Sequence, residues 1–301
     1  MNNPFQKIYK NIEFRNVLRY RKNPSLFPFI VDIELTNHCN LKCLFCGQQN
    51  MKREKGFISE KIFKKVVDEC AKHNTPIRLI RWGEPFLHPK ILKFIEYIKN
   101  KNLPLHITTN GLSFKEGDIE AIVRLGLDSL IISLQGANKC EYERMRNNSR
   151  YNELVKNIKK IAKIKGKLYL HITSTMTNET KKQINIFIKK WSKIVDAVNV
   201  GKTNLSRVSV EPKIKKKETI KHEYCPCTEI YQKLSVDWDG KVSCCCSDWD
   251  RFMTVGDVNK QTLKDIWNKS NQLKVFRKML DNMEHGKLPM CRNCFHPYHS
   301  F

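Results

Sequence analysis

Ile30-Val-Asp-Ile-Glu-Leu35 runs straight into Thr36-Asn-His-Cys-Asn-Leu-Lys-Cys-Leu-Phe-Cys-Gly47. The first segment has the composition of a short buried strand. The second presents Cys39, Cys43 and Cys46 as C-x3-C-x2-C, with Phe45 before the last thiol. Iron–sulfur clusters take one thiolate per protein-ligated iron, so three thiolates this close in sequence can hold three irons of a four-iron cluster and leave the fourth open. An open coordination position marks a metal site built for chemistry rather than for structure. Zinc sites also use C-x2-C, so the spacing by itself leaves a zinc knuckle as the alternative.

Strand and helix patterns alternate outward from this loop. Strands are expected at 30–35, 76–80, 105–109, 129–133, 167–172 and 196–200. Amphipathic helices are expected at 60–72, 89–99, 117–125, 138–162 with a break near 147–150, and 179–192. Six such repeats predict a parallel sheet with helical crossovers. Periodicity does not separate an open sheet from a barrel, but the notable residues fall just after strands, where parallel α/β folds place their sites. Residues 1–28 form a basic, partly aromatic lead-in without an assigned role, 29–203 the α/β unit, 204–221 a Lys- and Glu-rich linker, and 222–301 a cysteine-rich α+β extension. Within that extension, 234–243 reads as a hairpin turning at Asp239-Gly240, and 263–284 as helical.

The chain has 301 residues, 41% hydrophobic, and 12 cysteines. No apolar run approaches the roughly 20 residues that span a bilayer. The polar N-terminus has no signal-peptide core, so the expected location is the cytoplasm. There, cysteines are used for metal or redox chemistry rather than for disulfides. The net charge of +25 comes from 55 basic against 30 acidic residues, only 14 of them Arg. The lysines alternate with apolar positions along helices as solvated faces do, so the charge is read as compositional, with an anionic substrate left open and nucleic acid disfavoured.

The C-x3-C-x2-C loop with its aromatic resembles the radical S-adenosylmethionine (radical SAM) enzymes. That resemblance implies a partial (β/α)6 TIM-like barrel, a [4Fe-4S] cluster on Cys39, Cys43 and Cys46, and S-adenosyl-L-methionine (SAM) chelated by the open iron. Reductive cleavage of SAM then yields a 5′-deoxyadenosyl radical that abstracts a substrate hydrogen. Arg81-Trp-Gly-Glu-Pro85 resembles the family's Gly-Gly-Glu-Pro segment, with Trp82 in place of the first Gly. This implies that Gly83, Glu84 and Pro85 contact the SAM amino group, Glu84 as its carboxylate partner. By the same resemblance Thr109 and Asn110, in Thr108-Thr-Asn-Gly111, and Ser133 lie near the SAM ribose; Arg146 is either a contact of the SAM carboxylate or a solvated helix arginine.

Residues 222–296 resemble the SPASM extension of these enzymes: Cys227, then Gly240-x4-Cys245, then Cys291-x2-Cys294. The resemblance implies one auxiliary iron–sulfur cluster on Cys227, Cys245, Cys291 and Cys294, with Cys225, Cys244 and Cys246 as neighbouring alternatives. Relatives with such extensions act on aminoglycoside-type sugars or mature ribosomal peptides. The short lead-in favours a carbohydrate-like or other small hydroxylated substrate, for oxidation or epimerisation, over a peptide. An electron donor such as flavodoxin or ferredoxin is expected. Cys140, just beyond strand 129–133, is a candidate hydrogen-atom donor for an epimerase, against the plainer expectation of a small buried residue. A basic zinc-binding nucleic-acid protein is the competing class, but it leaves the six repeats unexplained.

Overall fold

The computed structural model describes residues 3–176, 179–202, 224, 226–292 and 294. Six strands form a parallel array in chain order: β1 (Ile30–Ile33), β3 (Ile77–Leu79), β4 (Leu105–Thr109), β5 (Ser129–Ser133), β7 (Tyr169–Met176) and β8 (Ala197–Lys202). The crossovers are α3 (Glu60–Lys72), α4 (Ile91–Asn100), α5 (Asp118–Arg124), α6 (Lys139–Met145) with α7 (Tyr151–Ile164), and α8 (Lys181–Trp191). The expected α/β barrel architecture is present. A short antiparallel pair, β2 (Lys42–Cys43) with β6 (Arg146–Asn147), was not legible in the sequence; it occupies the break between α6 and α7.

Each helix buries one stripe. In α3, Phe63, Val66, Val67 and Cys70 recur at helical spacing and are buried, while the hydroxyl of Ser59 caps the first turn by accepting the Ile62 N–H. The outward side chains of the strands, among them Ile107, Leu130, Ile132, Leu170 and Ile172, are fully buried beneath these helices. The opposite, inner face is polar, with Asp32, Arg78, His106, Thr108, His171 and Thr173 at alternate positions, as the two-residue period of a strand dictates.

The extension does not stand beside the barrel as a separate layer. Its first strand, β9 (Lys233–Val236), pairs in parallel with β1, with Ile30 opposite Lys233 and Ile33 opposite Val236. β10 (Lys241–Ser243) and β11 (Thr254–Asp257) follow antiparallel, giving one nine-stranded sheet. The expected Asp-Gly turn joins β9 to β10, with Gly240 at φ +93°, where a Cβ is disfavoured. The expected helix over 263–284 is two helices, α10 (Leu263–Lys269) and α11 (Asn271–Asp281), because Ser270 ends one and caps the other by accepting from Leu273 N–H. The linker expected at 204–221 lies outside the described residues.

The lead-in has a structural role that composition did not suggest. Its helices are α1 (Gln6–Tyr9) and α2 (Ile12–Arg15). Phe5, 2% exposed, packs edge-on to His106 with ring centroids 5.8 Å apart. Gln232 donates to the Phe14 carbonyl (2.9 Å), and Trp267 Nε1 to the Ser25 carbonyl (2.6 Å), so the lead-in is bound to the extension as well.

Candidate active site

At the C-terminal ends of the strands, three loops meet. The cysteine loop leaves β1 and is pinned along its length. Asn37 donates to the Glu54 carbonyl (2.8 Å) and accepts from Gly56 N–H (2.9 Å); Leu44 N–H donates to Met145 O (3.0 Å). The loop after β3 approaches it closely. A Cβ on Gly83 would lie 2.0 Å from the Thr36 carbonyl oxygen, so only glycine permits this contact. What Gly83 approaches is the backbone of the cysteine loop at Thr36 and Asn37. Glu84 N–H then donates to His38 O at 2.8 Å, and Pro85 opens a short 3-10 turn.

Glu84 is 2% exposed. Its carboxylate accepts from Thr109 Oγ1 (2.7 Å), Asn110 N–H (2.8 Å) and Phe86 N–H (3.2 Å). Burial raises its pKa, and these donors oppose the shift without cancelling it. A buried carboxylate held by donors on two loops is ready for a cationic partner, which would restore the charge balance that burial disturbs. Asn110 also bridges to the thiol loop: its Nδ2 donates to Asn40 Oδ1 (2.8 Å) and lies 3.9 Å from Cys39 Sγ. Arg146, expected near the SAM carboxylate, is 6% exposed rather than solvated. It pairs with Cys43 across β2–β6, donates to Gln135 and lies 5.5 Å over the Phe45 ring. Thus Phe45, Gly83, Glu84, Pro85, Thr109, Asn110 and Arg146 are tied to these loops, and half-buried Ser133 ends β5 on the same side.

Cys39, Cys43 and Cys46 are free thiols. Burial raises all three, Cys39 to about 12 and Cys46 to about 11, so each stays protonated at neutral pH unless a cation replaces the proton. Three soft thiol donors on a loop held by the scaffold suit iron–sulfur ligation. Among the described residues no group of three or more His, Cys, Asp or Glu side chains is drawn together around one ion. The fit therefore rests on the donor set and its fixed loop.

The cysteines of the extension behave alike. Cys227, Cys245, Cys291 and Cys294 are half-buried, and burial pushes Cys227 and Cys245 well up. Of the three consecutive thiols, Cys244 is buried and directs its Sγ toward the Met253 carbonyl (3.7 Å), Cys245 is half-buried and Cys246 is exposed. Cys225 lies outside the described residues. Cys140 is exposed on the first turn of α6, against the expectation of a small buried residue there.

Sequence reasoning missed what joins the two thiol sites. Arg81, whose side chain is 2% exposed, donates to the carbonyls of Cys245 (3.0 Å) and Asp248 (3.1 Å) and pairs with Asp237 (3.0 Å). Trp82 Nε1 donates to Asp248 O (2.9 Å), which accounts for an indole where the family motif has glycine. Trp249 stands edge-on to Trp82 at 6.0 Å and lies against Gly47, where a Cβ would come within 2.8 Å of its ring. Arg53 forks onto Glu34 (2.6 and 2.7 Å) and donates to Trp249 O (2.8 Å). The signal available in the sequence was the crowding of Trp238, Asp248, Trp249 and Asp250 around the cysteines.

A partial barrel with a three-thiol loop and a buried carboxylate at its mouth, and with a second thiol site fastened to the same segment, is the architecture of a cluster-dependent enzyme. The Radical SAM superfamily profile matches residues 33–190, and an iron-sulfur cluster-binding SPASM domain profile matches residues 225–295. The chain belongs to the radical SAM superfamily and carries a SPASM-type extension. It is similar to the S-adenosyl-L-methionine-dependent 2-deoxy-scyllo-inosamine dehydrogenase of Niallia circulans, 23% identical over 88% of this chain and 92% of that protein. It is also similar to a tungsten-containing aldehyde ferredoxin oxidoreductase cofactor-modifying protein of Pyrococcus furiosus, 29% identical over 34% of this chain and 29% of that protein. The chain spans less than half the length of that relative and of others that it matches. In fold it is similar to Streptococcus suis SuiB bound to precursor peptide SuiA, with a TM-score of 0.73, 17% identity, and coverage of 92% of this chain and 72% of that one.

Proposed function

We propose that this protein is a radical SAM dehydrogenase acting on a hydroxylated, carbohydrate-like small molecule. When bound, the [4Fe-4S] cluster and SAM supply the radical that removes a substrate hydrogen atom. Cys39, Cys43 and Cys46 would hold the cluster, leaving one iron open for SAM. Glu84, positioned by Thr109 and Asn110, would hold the SAM ammonium, Arg146 its carboxylate, and Ser133 the ribose. Cys227, Cys245, Cys291 and Cys294 would hold one auxiliary cluster.

The observation that carries this reading is the segment Arg81–Glu84. One end holds the loop of Cys245, and the other carries Glu84, the carboxylate that would bind SAM. A substrate at the mouth would then lie between a hydrogen-atom acceptor and an electron acceptor. Dehydrogenation of an alcohol needs both: a hydrogen atom leaves carbon, an electron leaves the resulting radical, and the hydroxyl proton departs. The end-to-end likeness to an aminocyclitol dehydrogenase supports the substrate class. The fold likeness to a protein solved with its precursor peptide keeps peptide modification as the second reading.

A one-electron donor of the flavodoxin or ferredoxin type would start the reaction. Cys39, Cys43, Cys46, Cys70 and Cys140 are free thiols, which suits a reducing cytoplasm. No described helix is long and apolar enough to cross a membrane. The test is anaerobic reconstitution followed by reductive SAM cleavage with cyclitols and with short peptides. A ketone product from a cyclitol supports the reading, whereas turnover of peptides alone refutes it.

A further inference from the structure

The inner face of the strands carries a polar group that the reading above leaves unused. His171 on β7 is 8% exposed, and its Nε2 is buried without a hydrogen-bond partner. Its neighbour on the floor, His106, contrasts with it: both ring nitrogens of His106 are engaged, one with Ser129 Oγ (2.9 Å) and one with Thr108 Oγ1 (3.0 Å). A buried polar atom left without a partner costs stability, and it recurs in proteins where a ligand completes the site.

The register fixes where His171 lies. It stands opposite Ile131, and Ser133 stands opposite Thr173, on the inner face and two residues nearer the mouth. Two residues along a strand are about 7 Å. Between these levels the inner side chains Thr108, Ile131, Ser133 and Thr173 are half-buried, so solvent reaches this part of the inner face. Its charged neighbours are paired: Asp32 with Arg78 (2.6 Å), Glu34 with Arg53 (2.6 Å), Asp237 with Arg81 (3.0 Å), and Lys233 with Glu229. What remains for a ligand is hydroxyls, one imidazole, the apolar side chain of Ile131 and, opposite Thr173 on β8, the carboxamide of Asn199.

We infer that His171 is the floor contact of the substrate site, that its Nε2 hydrogen-bonds a substrate hydroxyl, and that the site takes an uncharged polyhydroxylated ring rather than an anionic substrate. The inference deepens the dehydrogenase reading and rests on it. An anionic ligand would find no free cation on the inner face of the described strands, whereas hydroxyl groups, donor and acceptor at once, match each polar group present.

The test uses anaerobically reconstituted protein with SAM bound and measures calorimetric binding of scyllo-inositol and of myo-inositol 1-phosphate. Wild-type protein is expected to bind scyllo-inositol more tightly than the phosphate. His171→Phe, which keeps the volume and removes the nitrogen, is expected to weaken scyllo-inositol on the order of ten-fold, and His171→Gln to recover part of that loss. SAM affinity and iron content should not change. The melting temperature of His171→Phe should be unchanged or higher, because an unpartnered buried nitrogen has been removed; a histidine kept for structure would lower it. Preference for the phosphate, or equal scyllo-inositol binding by wild type and His171→Phe, overturns the inference. Binding of short peptides with no cyclitol binding at all overturns the dehydrogenase reading instead.

Discussion

Replacing Arg81 with Met tests whether one residue fastens the two cluster loops together. The substitution keeps most of the side-chain volume and removes the guanidinium. Three bonds disappear: to Asp237 Oδ1 (3.0 Å), Cys245 O (3.0 Å) and Asp248 O (3.1 Å). Breaking a buried ion pair costs about 3–5 kcal/mol, and each hydrogen bond lost to a carbonyl about 0.5–1.5 kcal/mol more, since neither carbonyl is left dry: Asp248 O keeps Trp82 Nε1 (2.9 Å) and Cys245 O keeps Asp248 N–H (3.3 Å). The full sum overstates the loss. Asp237 keeps Arg251 at 3.2 Å and Arg53 at 3.8 Å, and the Nε of Arg81 has no hydrogen-bond partner to lose. A net loss of about 3–5 kcal/mol follows, more than a hundredfold in the equilibrium for opening that seam. The Cys245 loop should open first, because two of the three bonds end on it. The assay is amide hydrogen exchange over residues 245–250 in the apo-protein, with iron counted after anaerobic reconstitution. Exchange should accelerate by at least a hundredfold, and iron should fall from about eight per chain toward about four. Arg81→Lys, which keeps charge without the fork, should fall between. Wild-type exchange together with eight irons in Arg81→Met would refute the reasoning.

Changing Cys39, Cys43 and Cys46 to Ala should leave about four irons on the extension and abolish reductive SAM cleavage; cleavage by this variant would show the ligands to be elsewhere. Glu84→Ala should cost on the order of 1.5–3 kcal/mol in SAM binding, read by anaerobic calorimetry, with iron content unchanged. Because burial raises the Glu84 pKa, wild-type SAM affinity should fall as pH drops through a range above that of an ordinary glutamate, and Glu84→Ala should lack that step. The same raised pKa means that the carboxyl binds its proton more tightly in the folded apo-protein, so its contribution favours folding at low pH and is lost as pH rises through the folded value. In deuterated water the oxidised product should carry no solvent deuterium and Cys140→Ala should still turn over; one deuterium in the product and a stalled Cys140→Ala would instead assign the exposed thiol the donor role of an epimerase.

The sequence by itself determined the repeats, because each strand and each amphipathic helix leaves a local period that one buried face enforces. It also located the thiol loop, Gly83 and Glu84, since ligand spacing and close backbone approach are set within a few residues. It did not reveal the parallel pairing of β9 with β1, nor the bonds of Arg81 to a loop 164 positions away, nor Phe5 beneath His106. Such contacts join segments far apart in the chain and leave no periodic trace in either one. The polar alternation of Asp32, Arg78, His106 and His171 was visible along the chain, but only the register of the strands places these residues on one lumen and leaves His171 there with an unpartnered nitrogen. A buried donor or acceptor is defined by what stands opposite it, and that is decided in three dimensions.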